Sequence, residues 1–453
     1  MKNKSRFTFS TSHIIMLSFL LAIMLGSFLL ALPISSASGT AVPYIDALFT
    51  ATTATCVTGL VTLPTVTTWS IFGQAIILIL IQIGGLGIIT IMSGIMIALH
   101  RKIDIGSRLL IQDAFNLNSL SGLVRFVKKV ILGTFILEAA GALLYMTVFV
   151  PQFGIKGIWI SVFTSVSAFC NAGIDIISEH SLYDYATNPL VNIVTIFLII
   201  LGGIGYLVWW DIIRISKKFK TVGIKALRHL TLHSKLALTA TAVLIFAGAL
   251  IIFIFEYNNP TTIGNMSLYQ KIQTSLFQSV TTRTAGFATI PQENLTDGSA
   301  LVCLLLMFIG GSPVGTAGGV KTVTVFILFI SAFASIKNKN ETSVFGRNIT
   351  SESIKKAIAV VCMSFIIMIT STVLLCGHIN KPLLDIIYET VSATATVGLT
   401  RNLTSYLDLF GKIVIIITMY LGRIGPISLA IAFNIKRENK NIISNPYEDI
   451  RIG

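Results

Sequence analysis

Charge is what this chain has least of. Of its 453 residues, 33 are Lys or Arg and 19 are Asp or Glu, so 11% are charged while 54% are hydrophobic. A soluble domain carries roughly 25% charge, so the balance excludes one and indicates an integral membrane protein. Cysteines number five, at 56, 170, 303, 362 and 376, all in apolar or turn segments. Their odd count and lack of metal-site spacing argue against a disulfide framework or a zinc site, and they read as small buried hydrophobes. No enzyme-like cluster of His, Asp and Glu is present, and no covalent cofactor is implied. The net charge of +14 does not indicate nucleic acid, because the basic residues sit in short segments between apolar runs. Those segments read as membrane-flanking loops, with a docking surface for a partner or for anionic lipid as the alternative.

Basic and acidic residues are also unevenly placed. Segments 100–129, 211–235 and 336–356, the first six residues and the tail after Lys436 are rich in Lys and Arg. Loops 33–45 and 60–70 hold none, and 174–190 holds only acidic residues and a histidine. The positive-inside rule then puts both termini in the cytoplasm. The apolar run 14–32, followed by Ser35-Ser36-Ala37-Ser38, resembles a signal peptide, but its ~20 residues suit a membrane span.

What is abundant is repetition. Four stretches, Thr55-Cys56-Val57-Thr58-Gly59-Leu60, Phe169-Cys170-Asn171-Ala172-Gly173-Ile174, Thr282-Arg283-Thr284-Ala285-Gly286-Phe287 and Thr394-Ala395-Thr396-Val397-Gly398-Leu399, place their glycines 114, 113 and 112 residues apart. Each lies in a unit that reads span, short half-span, glycine turn, span. The segments are 12–32, 43–55 and 71–99; 128–150, 157–169 and 190–215; 236–256, 268–281 and 299–334; and 354–376, 382–393 and 409–435. A 12-residue helix covers ~18 Å, about half a bilayer core, so the short segments enter and return. Pro43 and Pro382 suit first helical positions, and Asp46 and Asp385 follow in the first turn.

The fold expected is an all-α polytopic membrane protein, four parallel pseudo-repeats of span, pore helix, filter loop and span around one central ion pore. The units are 1–110, 111–225, 226–345 with a broken second span, and 346–453 with a cytoplasmic tail. Each unit starts and ends inside, unlike the inverted pairs of many secondary transporters.

A cation leaving water needs substitute oxygens, and backbone carbonyls supply them without a full charge. Carbonyls converge on an axis only if some residues take φ > 0, which glycine does without steric cost. The expected K⁺ ligands are therefore Cys56, Val57, Thr58 and Gly59; Cys170, Asn171, Ala172 and Gly173; Arg283, Thr284, Ala285 and Gly286; and Ala395, Thr396, Val397 and Gly398. The Arg283 side chain would repel ions on the axis, so a bracing role behind the turn is expected. A second glycine cluster follows each turn, at Gly84-Gly85-Leu86-Gly87, Gly202-Gly203-Ile204-Gly205, Gly310-Gly311-Ser312 and Gly422-Arg423-Ile424-Gly425. In the first two units it reads as close helix packing. In the third, Gly310, Gly311, Ser312, Pro313, Val314, Gly315, Thr316, Ala317, Gly318 and Gly319 cannot continue a helix. They read as a gating loop inside the membrane, with a static kink as the alternative. Arg423 is deep in its span and is expected opposite that loop, hydrogen-bonded to its carbonyls, unless it forms an ion pair within the bundle. Lys321 either snorkels or acts with the gate.

With these residues in view, the chain resembles the Trk/Ktr/HKT superfamily of potassium transport proteins, in particular KtrB-like membrane subunits. The likeness covers the whole chain. It is most specific at Thr281–Phe287, Ala393–Thr400, Gly310–Gly319 and Gly422-Arg423-Ile424-Gly425-Pro426. It implies K⁺ selectivity with a glycine in every turn, a gate at 310–319 and Arg423, and a homodimer in a bacterial cytoplasmic membrane. It further implies a cytosolic nucleotide-binding regulatory ring (RCK/KTN-type) docked on the basic loops and tail. Permeant ions would be K⁺, with Na⁺ or Rb⁺ as alternatives, and Na⁺ dependence of the flux is left open. Arg401 departs from the pattern: near the outer mouth, it either lowers local K⁺ or pairs with Asp408. The competing reading is a Na⁺- or H⁺-coupled K⁺ symporter, against which stand the parallel repeats and a lack of acidic residues in mid-span.

Overall fold

A computed structural model describes residues 11–99, 105–114, 122–339 and 341–425. The basic N-terminal residues, Pro426 and the tail after Lys436 lie outside these ranges. Helices recur in one order four times. A long helix α1 (Thr11–Leu30) is followed by a short one, α2 (Tyr44–Cys56), a single turn α3 (Thr65–Thr68), then α4 (Ile71–Leu86) and α5 (Ile88–Ala98). After α6 (Ile105–Ala114) come α7 (Leu123–Phe153), short α8 (Lys156–Cys170), α9 (Pro189–Gly203) and α10 (Tyr206–Val222). The third set is α11 (Leu232–Glu256), α12 (Leu268–Thr281), α13 (Asp297–Phe308) and α14 (Thr322–Ile336). An antiparallel hairpin of β1 (Ser343–Val344) and β2 (Arg347–Asn348) leads to α15 (Ser351–Cys376), α16 (Leu383–Ala395) and α17 (Leu409–Ile424).

Local chemistry sets these boundaries. Side chains of Ser70, Thr231, Ser267, Thr296, Thr350 and Asp408 each accept a first-turn N–H, and Ser267 with Gln270 forms a full capping box. Such caps satisfy donors that a helix start leaves free. Pro43 and Pro382 stand at the caps themselves, one residue before the expected position, with Asp46 and Asp385 in the first turns.

The long helices α1, α7, α11 and α15 meet span length and hydropathy, yet only 28%, 33%, 28% and 22% of their most apolar stretches are buried. Leu21, Phe28, Phe246 and Val373 point outward, the pattern of helices whose outer face meets lipid rather than water. The short helices form the centre. Every residue of α2 from Phe49 to Cys56, and of α16 from Tyr388 to Ala395, is buried. Their many hydroxyls are accommodated by bonding back along the helix, as Thr50 does to Asp46 O at 2.8 Å and Thr52 to Leu48 O at 2.7 Å.

Two expectations change, the course of two second spans and the burial of every cysteine. The runs 71–99 and 190–215 are not single spans: the chain bends by 96° between α4 and α5 and by 99° between α9 and α10. Gly87 (φ +82) and Gly205 (φ +93) make these breaks, a conformation glycine takes freely. The run 409–435 is described only to Gly425, where α17 has ended and φ is again +82. Cys56, Cys170 and Cys303 are buried, but Cys362 and Cys376 on α15 are exposed.

Candidate ion pathway

The four short helices end at the four glycine turns, and the turns close a ring. At each turn two residues are left-handed: Val57 and Gly59 (φ 56 and 101), Asn171 and Gly173 (60 and 65), Thr284 and Gly286 (66 and 84), Thr396 and Gly398 (51 and 97). A Cβ built on Gly59 meets Ala172 O, on Gly173 meets Ala285 O, on Gly286 meets Val397 O and on Gly398 meets Thr58 O, none farther than 2.6 Å. Each glycine thus abuts the carbonyl that precedes the next glycine, in the cyclic order one, two, three, four, one. Glycine is required twice over, by its dihedral angle and by the space. Thr58, Ala172, Ala285 and Val397, the residues before the glycines, are wholly buried, as is Cys56 at the end of α2.

Hydroxyls behind the ring brace it. Thr53 Oγ1 accepts from Gly59 N at 2.9 Å and Ser392 Oγ from Gly398 N at 3.0 Å. Ser167 Oγ instead donates to Ile174 O at 2.5 Å, and Thr281 Oγ1 to Phe287 O at 2.6 Å. Sequence reasoning missed these four. The signal was present, since a Thr or Ser precedes the glycine by six residues in three units and by five in the third. Arg283 turns away from the ring: its Nη2 reaches Thr241 Oγ1 at 3.4 Å, and its Nε has no partner among the described residues.

On one side of the ring a cavity of about 230 Å³ is lined by all four glycines together with Asp175, Glu179 and Glu293. Burial pushes the carboxyl of the partly buried Asp175 up to about 6, against hydrogen bonds from the Ile177 N–H, the Ser181 hydroxyl and the Ser178 N–H. Arg401 is held away from this mouth. Its Nε pairs with Asp385 Oδ1 at 2.7 Å, and its Nη1 and Nη2 donate to Gln292 O (3.0 Å) and Glu293 O (3.1 Å). Asp408, the partner considered from sequence, is bound to His378 at 2.6 Å. Asp46 is paired too, with Lys412 Nζ at 2.6 Å. The two first-turn aspartates therefore tie loops and helices together besides favouring helix starts.

On the other side lies the segment between α13 and α14. Its base is closed by Gly310 N to Val320 O (3.0 Å), Val320 N to Phe308 O (3.1 Å) and Thr322 N to Gly311 O (2.9 Å). It is sewn to the α9–α10 break by Ser312 N to Gly203 O (2.8 Å), Thr316 N to Gly202 O (3.1 Å) and Tyr206 N to Val314 O (2.8 Å). These bonds supply the partners that backbone inside a membrane requires. The loop also touches the ring, through Gly318 N to Thr284 Oγ1 at 3.1 Å. Arg423 Nη1 donates to Thr316 O at 2.8 Å and Nη2 to Gly84 O, while Lys321 Nζ donates to Ala317 O at 2.6 Å and Gly318 O at 3.4 Å. Both cations line a cavity of about 400 Å³ with Gly315, Gly319 and Thr394, and no carboxylate lines it among the described residues.

The second glycine clusters do pack closely. A Cβ at Gly84, Gly202 or Gly422 collides with Thr55 O, Phe169 O or Thr394 O, each four residues before a turn glycine. The expected lack of acid in mid-span does not hold. Glu138 lies halfway along α7 and is 5% exposed, and Glu389 on α16 is fully buried between Thr400 and Thr404.

The family model described as TrkH, cation transport protein, matches residues 2–445. The chain is 40% identical over 435 residues to "Ktr system potassium uptake protein B" of Bacillus subtilis, covering 96% of this chain and 95% of that one. It is 36% identical over 459 residues to "Potassium/sodium uptake protein NtpJ" of Enterococcus hirae, covering 100% and 99%. Its fold matches the crystal structure of the potassium transporter TrkH from Vibrio parahaemolyticus with a TM-score of 0.76 at 16% identity, over 96% of this chain and 86% of that one. On sequence and fold together, this chain belongs to the TrkH family of cation transport proteins.

Proposed function

We propose that the chain is the membrane subunit of a K⁺ uptake system, with the ring at Gly59, Gly173, Gly286 and Gly398 as its selectivity filter. The closed ring carries this reading: four carbonyl-bearing turns abut in cyclic order, with the acid-lined mouth on one side and an acid-free cavity on the other. The filter ligands are the backbone carbonyls of residues 56–59, 170–173, 283–286 and 395–398, within units 1–110, 111–225, 226–345 and 346–453. Residues 310–319 with Lys321 and Arg423 form the gate. Two cations beneath the filter raise the barrier to a third, and releasing Arg423 from Thr316 O lowers it. The relatives' names support K⁺ as the ion and, for NtpJ, Na⁺ as a second. A homodimer in a bacterial cytoplasmic membrane, termini inside, with a cytosolic regulatory ring on the basic segments, completes the proposal.

The test is radioactive Rb⁺ uptake into liposomes under an inside-negative potential, without Na⁺ or H⁺ gradients. Uptake that loses K⁺ preference in Gly59→Ser supports the filter. Unchanged selectivity in Gly59→Ser and Gly286→Ser would remove it. Ion-coupled symport keeps one specific observation, the buried Glu138, and predicts no uptake until a H⁺ or Na⁺ gradient is added.

A further inference from the structure

Glu138 is a buried acid of the core that the proposed mechanism leaves unused. It sits in mid-helix on α7, in contact with two other elements. Gln82 on α4 donates its Nε2 to both carboxyl oxygens, at 3.1 and 3.2 Å. Cys170, the last residue of α8, places its Sγ 3.8 Å from Glu138 Oε1 and 3.7 Å from Gln82 Oε1. Glu138 makes no ion pair among the described residues. Thr134, one turn away on α7, and Tyr206 are buried beside it, their hydroxyls close to one another, and neither supplies a charge.

An ionised carboxylate at this depth without a cation carries a heavy desolvation penalty. Proton accounting in the cluster agrees with the neutral form. The thiol has one proton and two oxygen neighbours, so it donates to only one of them. With a neutral acid the ring closes: Gln82 N–H to the Glu138 carbonyl, Glu138 O–H to Cys170 Sγ, and Cys170 S–H to Gln82 Oε1. An ionised acid leaves two acceptors competing for that thiol proton.

The location gives the ring a consequence. Cys170 stands three residues before Gly173, next to the left-handed Asn171, and its Sγ is 2.5 Å from where a Cβ on Gly85 would lie. Ser165 on the same short helix donates to Glu138 O at 2.6 Å. The cluster therefore pins the end of α8 against α4 of the first unit and sets the height of the second turn in the ring.

We propose that Glu138, kept as the neutral acid by its burial and bonded to Gln82 and Cys170, is a positioning residue for the second filter turn and so determines K⁺ over Na⁺ selectivity. This rests on the filter reading above. The experiment compares Na⁺ and K⁺ as competitors of radioactive Rb⁺ uptake by the full-length protein in liposomes. Gln retains one donor and one acceptor, so Glu138→Gln keeps wild-type selectivity. Glu138→Ala removes the ring, and its Na⁺-to-K⁺ ratio rises about fivefold, the effect of losing roughly one buried hydrogen bond. Gln82→Met breaks the same ring from the other helix; it shows the same shift and serves in place of Glu138→Ala if that variant does not fold. Equal losses in Glu138→Gln and Glu138→Ala would mean that charge or proton carriage matters, which overturns the proposal. So would wild-type selectivity in Glu138→Ala or Gln82→Met. Gly173→Ser separates the two readings: if it leaves selectivity unchanged, the filter assignment fails, and if it alone shifts, only the role of Glu138 does.

Discussion

Replacing Thr53 with Val removes one acceptor from behind the ring and little else. The two side chains have nearly the same shape, and the site is fully buried, so water cannot take the hydroxyl's place. Gly59 N, now bonded to Thr53 Oγ1 at 2.9 Å, becomes an unsatisfied buried donor. That costs about 1–3 kcal/mol, or about 5- to 150-fold in the population of the conducting turn, at ~1.4 kcal/mol per tenfold. Thr281→Val is the internal comparison. Thr281 donates to the carbonyl of Phe287 at 2.6 Å, and an under-satisfied carbonyl is tolerated better than an orphan N–H. Its loss is about 0.5–1.5 kcal/mol, or roughly 2- to 12-fold. Rb⁺ uptake with Na⁺ competition reads both, with Thr53→Ser restoring wild-type behaviour. If Thr281→Val loses more than Thr53→Val, or if Thr53→Ser fails to rescue, the satisfaction argument is wrong.

Two further perturbations follow from the cavities. Arg423→Gln breaks charge-assisted bonds to Thr316 O and Gly84 O, each ~1.5–3 kcal/mol, so uptake by the otherwise closed protein rises at least about tenfold; unchanged uptake would count against the latch. Asp175 ionises only as pH rises through about 6, so external acidification below that value removes a negative charge from the mouth and slows uptake. At ~7 Å in water one charge is worth about 0.6 kcal/mol, or roughly threefold; Asp175→Asn is slow throughout and flat across this window, and a variant that keeps the acid drop points elsewhere.

The parts legible in sequence were those written in backbone chemistry. Glycine spacing identified the turns because no other residue fits both the dihedral and the neighbouring carbonyl, and five glycines with a proline marked the loop because no helix survives them. The bends at Gly87 and Gly205 were not legible, since a glycine in an apolar run reads equally as packing or as a break. At Gly205 the loop decides between these, because Gly202, Gly203 and Tyr206 bond to it. Side-chain partners were harder. Arg401 chose Asp385 over Asp408 because three acceptors converge there, and convergence is a tertiary property. Glu138 lay in plain view inside an apolar run, and only the fold set Gln82 and Cys170 beside it.

The ring is four-fold in its backbone and not in what holds it. Units one and four brace their glycines through an acceptor, units two and three through a donor. The loop belongs to the third unit, is sewn to the second, and is reached from the fourth by Arg423, which also grips the first at Gly84 O. Four identical chains around an axis would have to repeat every such contact four times. Joining the repeats in one chain frees each to differ behind a shared axis: the four turns keep near-symmetric carbonyls, while a single loop lies on one side of them. A single arginine touching two other units then suffices to tie the position of that loop to the packing of the second spans.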